Sequence, residues 1–158
     1  GIILFDEFAK QLKFENVLES VEFYYQAIRK QNGAIGIILQ SINQLPNNST
    51  SASILENTQV IYSLNNEKGY DELVKRLNLS SHDLNQLKSI KNNLSGSRKY
   101  TEMFIKIGKE SNIFRLEVPK EVYAAYLTDG QENEAIMQIY DRTQNMEDAI
   151  LEFIKPQS

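Results

Sequence analysis

The feature that most constrains the fold is a pair of short apolar runs joined by one amphipathic segment. Ile2–Phe5 and Ala34–Leu39 are uninterrupted apolar runs, and residues 14–28 between them carry apolar side chains at helical spacing. Short runs without alternation are typical of strands buried on both faces of a parallel sheet. Strand, helix and strand in this order predict two parallel neighbours, because a helical crossover returns the chain to the same edge of the sheet. The sequence therefore predicts an α/β fold whose first strand is buried on both faces.

The next segments continue the alternation of strands and helices. Gln59–Leu64 is predicted as a third strand, and Tyr70–Leu77 as the helix after it. Ser80 or Ser81 can cap the helix that follows. Within the sheet, we expect Val60–Ser63 either to close the gap beside the first two strands or to leave an unpaired edge there.

The last third of the chain has a different character. Tyr100–Ile107 and Asn112–Val118 flank a short polar loop that begins at Gly108, which predicts an antiparallel hairpin. A helix is then predicted at 119–126, and one or two closing helices are predicted over 132–145 and 146–154. We therefore expect two parts: residues 1–95 with the strand–helix alternation, and residues 96–158 with the hairpin and closing helices packed on the same domain.

Composition excludes several classes of protein. The 158 residues hold 17 basic and 21 acidic side chains, which argues against a strongly basic nucleic-acid-binding surface. There is no cysteine and a single histidine, His82, so thiolate sites, multi-histidine metal sites and a Ser-His-Asp triad with a spare base are excluded. The apolar runs are far shorter than the roughly 20 residues that a membrane-spanning helix needs. The absence of cysteine fits a reducing compartment, of which the cytoplasm is the simplest.

Two adjacent carboxylates follow the first apolar run directly. Asp6 and Glu7 come after Ile2–Phe5, which is the pattern of a Walker B strand. A carboxylate at the tip of a buried parallel strand lies in the crevice where open α/β sheets bind ligands. There Asp6 could hold a magnesium ion through water, and Glu7 could orient an attacking water. The alternative is that Asp6 only caps the helix that follows.

A polar side chain also ends the second apolar run. Gln40 follows residues 34–39, where an amide can sense a γ-phosphate, and the segment RKQNG (residues 29–33) precedes that run. The order of DEF, RKQNG, IILQS and ILENTQVIYSL resembles the conjugation ATPases of type IV secretion systems. It is most similar to their TraG-type members, relatives of the HerA and FtsK motors. The segments RLNLSSHDLNQLKSI, RKYTEMFIKIG and FRLEVPKEVYAAYLTD resemble later parts of the same family, so the resemblance spans nearly the whole chain.

The resemblance implies a partial RecA-like P-loop NTPase domain, in which a parallel sheet flanked by helices is followed by a C-terminal β-hairpin and closing helices. Its first part would be the Walker B-containing half. Asp6 and Glu7 would be the Walker B pair, with Asp6 as the ligand of magnesium and the contact to the nucleotide. Gln40 would be the sensor, and Arg29 or Lys30 a cation that acts in trans on a neighbouring subunit. Both basic residues also suit the last turn of a helix, where cations face the helix dipole favourably.

One part of such a motor has no counterpart in this sequence. The seven glycines nowhere form a Gly-x-x-x-x-Gly-Lys-Ser/Thr phosphate-binding loop. In the family that loop precedes the Walker B strand, so the sequence is interpreted as the C-terminal part of a longer parent. We expect ATP and magnesium in the intact parent and neither bound to this fragment, which should be inactive alone.

The implied function of the parent is ATP hydrolysis that powers pilus assembly or DNA-protein export through a type IV secretion channel. Two alternatives are a coupling-type DNA translocase of the same superfamily and a non-enzymatic interaction module. Expected partners are other secretion components at the inner membrane and further copies of the chain, as a hexamer in the parent and a dimer of the fragment. No direct contact with nucleic acid is expected. The expected location is cytoplasmic and peripheral to the inner membrane, through the parent's assembly.

Overall fold

The computed structural model describes residues 1–12, 14–94, 99–128 and 130–155. In chain order, the strands are β1 (Ile2–Phe5), β2 (Ala34–Ile37), β3 (Val60–Ser63), β4 (Asn92–Asn93), β5 (Tyr100–Ile107) and β6 (Glu110–Leu116). The helices are α1 (Glu15–Ala27), α2 (Ser49–Glu56), α3 (Tyr70–Leu77), α4 (Ser81–Ser89), α5 (Lys120–Ala125), α6 (Gly130–Thr143) and α7 (Met146–Phe153).

The chain divides into two units. The first comprises Gly1–Asn92 and Thr101–Arg115, and the second comprises Asn93–Tyr100 and Leu116–Ser158. The boundary predicted between residues 95 and 96 lies outside the described residues.

The first two strands form the predicted parallel pair. β1 and β2 are parallel, with Ile3 opposite Ile35 and Phe5 opposite Ile37, and α1 lies between them in the chain. The α/β fold and the parallel pairing are therefore confirmed. The core beneath them is apolar and contains Phe8, Leu18, Val21, Leu45 and Ile54.

The expectation that β1 is buried on both faces is wrong. Ile2 is 76% exposed and Leu4 is 65% exposed. In the described part of the chain β1 pairs with β2 alone, so its other edge carries no strand. An apolar composition sets the preference for burial, but the neighbours available in the chain decide whether burial occurs.

Val60–Ser63 does not close the gap in the parallel sheet, and of the two expected outcomes the second is the one observed: among the described residues no strand pairs with the outer edge of β1. β3 pairs antiparallel with β5, with Val60 opposite Ile107 and Ser63 opposite Phe104. In this second sheet β5 is also paired with β4 and β6. The physical reason is that β3 places one face against the α3–α4 core, while Tyr62 on the other face is exposed, a pattern that suits an antiparallel sheet.

The predicted hairpin is confirmed, although its loop is shorter than expected. β6 begins at Glu110, so Gly108 and Lys109 alone connect the two strands. Gly108 has φ of 57°, a backbone conformation that glycine adopts without steric cost. The tight turn therefore depends on this residue.

The α4 helix begins as predicted. The Ser80 hydroxyl accepts a hydrogen bond from the Asp83 backbone N–H, and the Asp83 carboxylate accepts one from the Ser80 N–H, which is a capping box. Asp83 is 2% exposed and also accepts hydrogen bonds from Ser111 and Lys106 on the hairpin strands. This cluster fixes α4 against the antiparallel sheet, around a core formed by Tyr70, Leu79, Leu87, Ile90 and Phe104.

The second unit is built from the three last helices. Its core is formed by Ala124, Ile136 and Ala149, one residue from each of α5, α6 and α7. The Lys99 ammonium donates hydrogen bonds to Tyr123 Oη at 2.9 Å and Glu132 Oε1 at 2.8 Å. None of the helices in the described ranges combines the length and the apolar character that crossing a bilayer requires.

Candidate functional site

The carboxyl ends of β1 and β2 open into a cleft of about 380 Å³. Its lining residues are Asp6, Glu7, Ala9, Lys10, Ile38, Leu39, Gln40 and Gln44. The structure thus brings together three residues singled out in the sequence: Asp6, Glu7 and Gln40. They meet because parallel strands end at the same edge of a sheet, which is where open α/β sheets bind ligands.

Asp6 does not act as a helix cap. Its Oδ1 accepts a hydrogen bond of 2.8 Å from the backbone N–H of the adjacent Glu7. The short 3-10 segment that follows, Phe8–Lys10, is preceded by Glu7 and has no side-chain cap. Asp6 is exposed on the cleft. Its carboxylate therefore lacks the helix-capping role that would compete with binding a ligand.

Glu7 has an unusual backbone conformation. Its φ is 48° and its ψ is 41°, in the left-handed region, which costs a residue with a side chain about 1–2 kcal/mol. Glycine would adopt this conformation without the steric cost. A glutamate kept there, in a cleft, therefore points to a function for its side chain. The Glu7 carboxylate forms an ion pair with Lys10, and this hydrogen bond raises the pKa of the Lys10 ammonium above its usual value.

The main chain of Gln40 is held from two sides. Its N–H donates to Gln44 Oε1 at 2.9 Å, and its carbonyl accepts a hydrogen bond of 3.1 Å from Asn66 Nδ2. Ser41 and Gln44 form a capping box around the 3-10 segment Ile42–Gln44. The side chain of Gln40 is exposed on the cleft. The main chain is therefore held in place while the side-chain amide stays accessible.

Arg29 and Lys30 are not brought to the cleft. Both lie in the 3-10 segment Ile28–Gln31, which precedes β2. The cleft lies at the other end of that four-residue strand, about 10–13 Å further along the chain direction. A role for either cation in the same subunit's cleft is therefore not supported, and a contact with a neighbouring subunit stays a prediction.

Sequence reasoning missed two residues of the cleft. Lys10 lies one helical turn after Glu7, close enough to pair with it, and this i, i+3 spacing was the signal available. Gln44 belongs to the pattern Ser-x-x-Gln of a capping box, which begins at Ser41. Both patterns can be recognised in the sequence, but neither predicts that Lys10 and Gln44 line the cleft.

Comparison with protein families shows a match to the family described as the TraG P-loop domain, over residues 1–157. The chain belongs to the TraG P-loop domain family. This is a family of conjugation-associated P-loop ATPases, and the partly parallel α/β architecture agrees with it. No match was found among curated proteins.

The cleft offers the kind of oxygen ligands with which a P-loop ATPase of the TraG family would hold magnesium. Asp6, Glu7 and Gln40 offer carboxylate and amide oxygens, the ligands that this ion prefers. The described residues contain no cluster of three or more acidic or histidine side chains able to hold a metal ion. A magnesium ion at this TraG-family cleft would therefore need phosphate oxygens as well as Asp6, as is usual in nucleotide sites.

The strained backbone of Glu7 gives a prediction for this TraG-family cleft. Glu7→Gly should raise the free energy of unfolding by about 0.5–1 kcal/mol, because glycine adopts the left-handed conformation without steric cost. The lost ion pair with Lys10 is solvent-exposed and offsets little of this gain. Urea denaturation measures the change.

Asn78→Gly is the matched control, because Asn78 has φ of 49° but is a residue type that tolerates this region. It should change the free energy of unfolding by less than Glu7→Gly does. Destabilisation by Glu7→Gly would show that the Glu7 side chain has a structural role after all.

Proposed function

We propose that the chain supplies the Walker B and sensor half of a conjugative transfer ATPase that powers pilus assembly or DNA-protein export through a type IV secretion channel. The observation that carries the proposal is the convergence of Asp6, Glu7 and Gln40 on one cleft at the carboxyl ends of two parallel strands. Membership of the TraG P-loop domain family supplies the class of chemistry.

Each residue has a separate task in this proposal. Asp6 positions magnesium, which when bound neutralises charge on the nucleotide phosphates. Glu7 accepts a hydrogen bond from the attacking water and orients it. Gln40, at the end of the neighbouring strand, donates its amide N–H to the γ-phosphate and so reports whether ATP or ADP is present. Lys10 lies beside Glu7 and holds its carboxylate when no nucleotide is present.

The partners follow from the same proposal. The longer ATPase acts as a hexamer, in which Arg29 or Lys30 faces the nucleotide of the neighbouring subunit. It works on the cytoplasmic side of the inner membrane, bound to other components of the secretion channel. The positions of Arg29 and Lys30 at the end of β2 away from the cleft are compatible with a contact made in trans.

The proposal is tested by comparing this chain with a longer ATPase that contains it and a phosphate-binding loop. The 158 residues contain no such loop, and the loop's backbone N–H groups and lysine carry most of the affinity for the β- and γ-phosphates. We expect the chain alone neither to bind ATP tightly nor to hydrolyse it. Equilibrium binding of a fluorescent ATP analogue and a phosphate-release assay measure both, and robust turnover by the chain alone would show that the chemistry is assigned wrongly.

Self-association of the chain is a further expectation. Among the residues that the structure describes, no strand pairs with the outer edge of β1, and Ile2 on this strand is 76% exposed. Such edges recruit another copy, so we expect a dimer at high protein concentration. Sedimentation velocity should show that Ile2→Lys shifts the equilibrium to monomer, while Phe23→Lys, at an exposed apolar position on α1, does not. A monomer at all concentrations would contradict the expectation.

A further inference from the structure

Arg76 makes an unusual set of contacts for a residue in the last turn of a helix. Its Nη1 donates hydrogen bonds to the carbonyl oxygens of Ile42 at 2.9 Å and Leu45 at 2.8 Å. Its Nη2 donates to the carbonyl oxygen of Pro46 at 3.1 Å. One guanidinium on α3 therefore binds three carbonyls of a single loop that is about 30 residues earlier in the chain.

These contacts require an arginine. The guanidinium is planar and presents five N–H donors in a fixed fork, whereas a lysine ammonium is a compact charge on a flexible stem. Hydrogen bonds from a charged donor are also stronger than those between neutral groups. Within the described ranges Arg76 forms no ion pair with a carboxylate, so its charge is directed at the loop carbonyls.

The clamped loop leads directly to the candidate sensor. Gln44 lies between the clamped carbonyls, and its Oε1 accepts hydrogen bonds from the backbone N–H groups of Gln40 at 2.9 Å and Ser41 at 3.4 Å. A displacement of the loop would therefore move Gln44 and release the backbone of Gln40. The main chain that carries the Gln40 side chain to the edge of the cleft would then lose one of its two anchors.

We propose that Arg76 is a positioning residue for Gln40. By binding the carbonyls of Ile42, Leu45 and Pro46, it holds Gln44 where Gln44 fixes the main chain of Gln40. The inference rests on the proposed function, in which Gln40 reads the γ-phosphate. Through Arg76, α3 contributes to a cleft that is otherwise built on β1 and β2. Because α3 packs in the core of the antiparallel sheet, the main-chain position of Gln40 then depends on that core as well.

The first test measures the loop in this chain, without nucleotide. Arg76→Ala should increase amide hydrogen exchange by about tenfold in a peptide that covers residues 40–46, in which every residue except Pro46 has an exchanging backbone N–H, because the loop opens locally more often. Peptides from α1 should keep their exchange rates. Lys75→Ala, at an exposed neighbour on α3, removes the same charge and should leave residues 40–46 unchanged. Arg76→Lys should fall between the two, since an ammonium cannot bind three carbonyls in the geometry of the fork.

The second test uses the longer ATPase and asks whether Arg76 acts through Gln40. Arg76→Ala should lower kcat about tenfold and change KM by no more than about twofold, because the phosphate-binding loop carries the affinity. In a Gln40→Ala background, Arg76→Ala should have no further effect on kcat, because the group that it positions is gone.

Three results would overturn the inference. They are unchanged exchange in residues 40–46, faster exchange over the whole first unit, and effects on kcat that add when both residues are changed. The failure of the proposed function looks different: Gln40→Ala alone would then leave kcat unchanged. In that case the exchange experiment still decides whether Arg76 holds the loop.

Discussion

A Glu7→Gln variant of the longer ATPase should keep its affinity for nucleotide and lose a factor of about 10²–10³ in kcat. The amide is nearly the same size as the carboxylate, but it cannot accept a proton or orient water equally well. Affinity is retained because the phosphate-binding loop and magnesium carry most of it. Gln40→Ala should slow hydrolysis less, by about tenfold, because it removes a single hydrogen bond from an amide to the phosphate.

The measurement combines phosphate release with equilibrium binding of a fluorescent ATP analogue. Glu19→Gln is the control, because Glu19 is an exposed carboxylate on α1 and its loss changes the net charge by the same amount. The ion pair that Glu7 loses with Lys10 is solvent-exposed, so it should not change stability enough to confuse the result. A fully active Glu7→Gln enzyme would mean that the carboxylate at this position has another task.

The cleft could be predicted because its determinants are local. The apolar run before Asp6 and the run before Gln40 each form a strand, and the helix between them makes the strands parallel. Parallel pairing alone then brings the two strand ends together. The sequence did not indicate the left-handed backbone of Glu7, because that conformation depends on how the turn into Phe8–Lys10 packs beneath the sheet.

The position of β3 could not be predicted in the same way. Its partner β5 begins at Tyr100, 37 residues after β3 ends at Ser63, so the pairing is non-local. The composition of a four-residue strand does not predict which other strand it will pair with. The exposure of Tyr62 suits an antiparallel sheet with one solvated face, but it is visible only in the structure, because Val60–Ser63 shows no clear alternation of apolar and polar residues.

Polar contacts between distant elements were the least predictable feature. Arg76 binds a loop that ends 30 residues before it, and Asp83 binds Lys106 and Ser111 on the hairpin. In the sequence each of these is an ordinary charged residue on an amphipathic helix. Their roles depend on which helix face meets which strand, and hydrophobic periodicity determines the face but not its polar neighbours.

The Asp83 cluster gives the second prediction with a large effect. Asp83 is 2% exposed, and its carboxylate accepts hydrogen bonds from Ser111 Oγ at 2.6 Å, from the Ser80 N–H at 2.9 Å and from Lys106 Nζ at 3.2 Å. Burial alone would raise the pKa of Asp83. The hydrogen bonds from Ser111, Ser80 and Lys106 outweigh that effect and hold the pKa well below its usual value.

The direction of the pH dependence follows from this lowered pKa. The folded state stabilises the charged carboxylate, so its contribution is fully present above the unfolded pKa of about 4 and is lost as the pH falls towards the folded value. Asp83→Asn should therefore lower the free energy of unfolding at neutral pH by about 3 kcal/mol, since it leaves the Lys106 charge partly buried without its partner. It should also flatten the dependence of stability on pH between about 5 and 2.

Urea denaturation at neutral and acid pH measures both effects. Asp71→Asn is the matched control, because Asp71 is exposed on α3 and its substitution should change stability by less than about 0.5 kcal/mol. A double variant, Asp83→Asn with Lys106→Met, should recover part of the loss, because the unpaired charge is then removed as well. If Asp83→Asn instead had the same stability and the same pH dependence as the unsubstituted chain, the buried carboxylate would not be what fixes α4 to the hairpin strands.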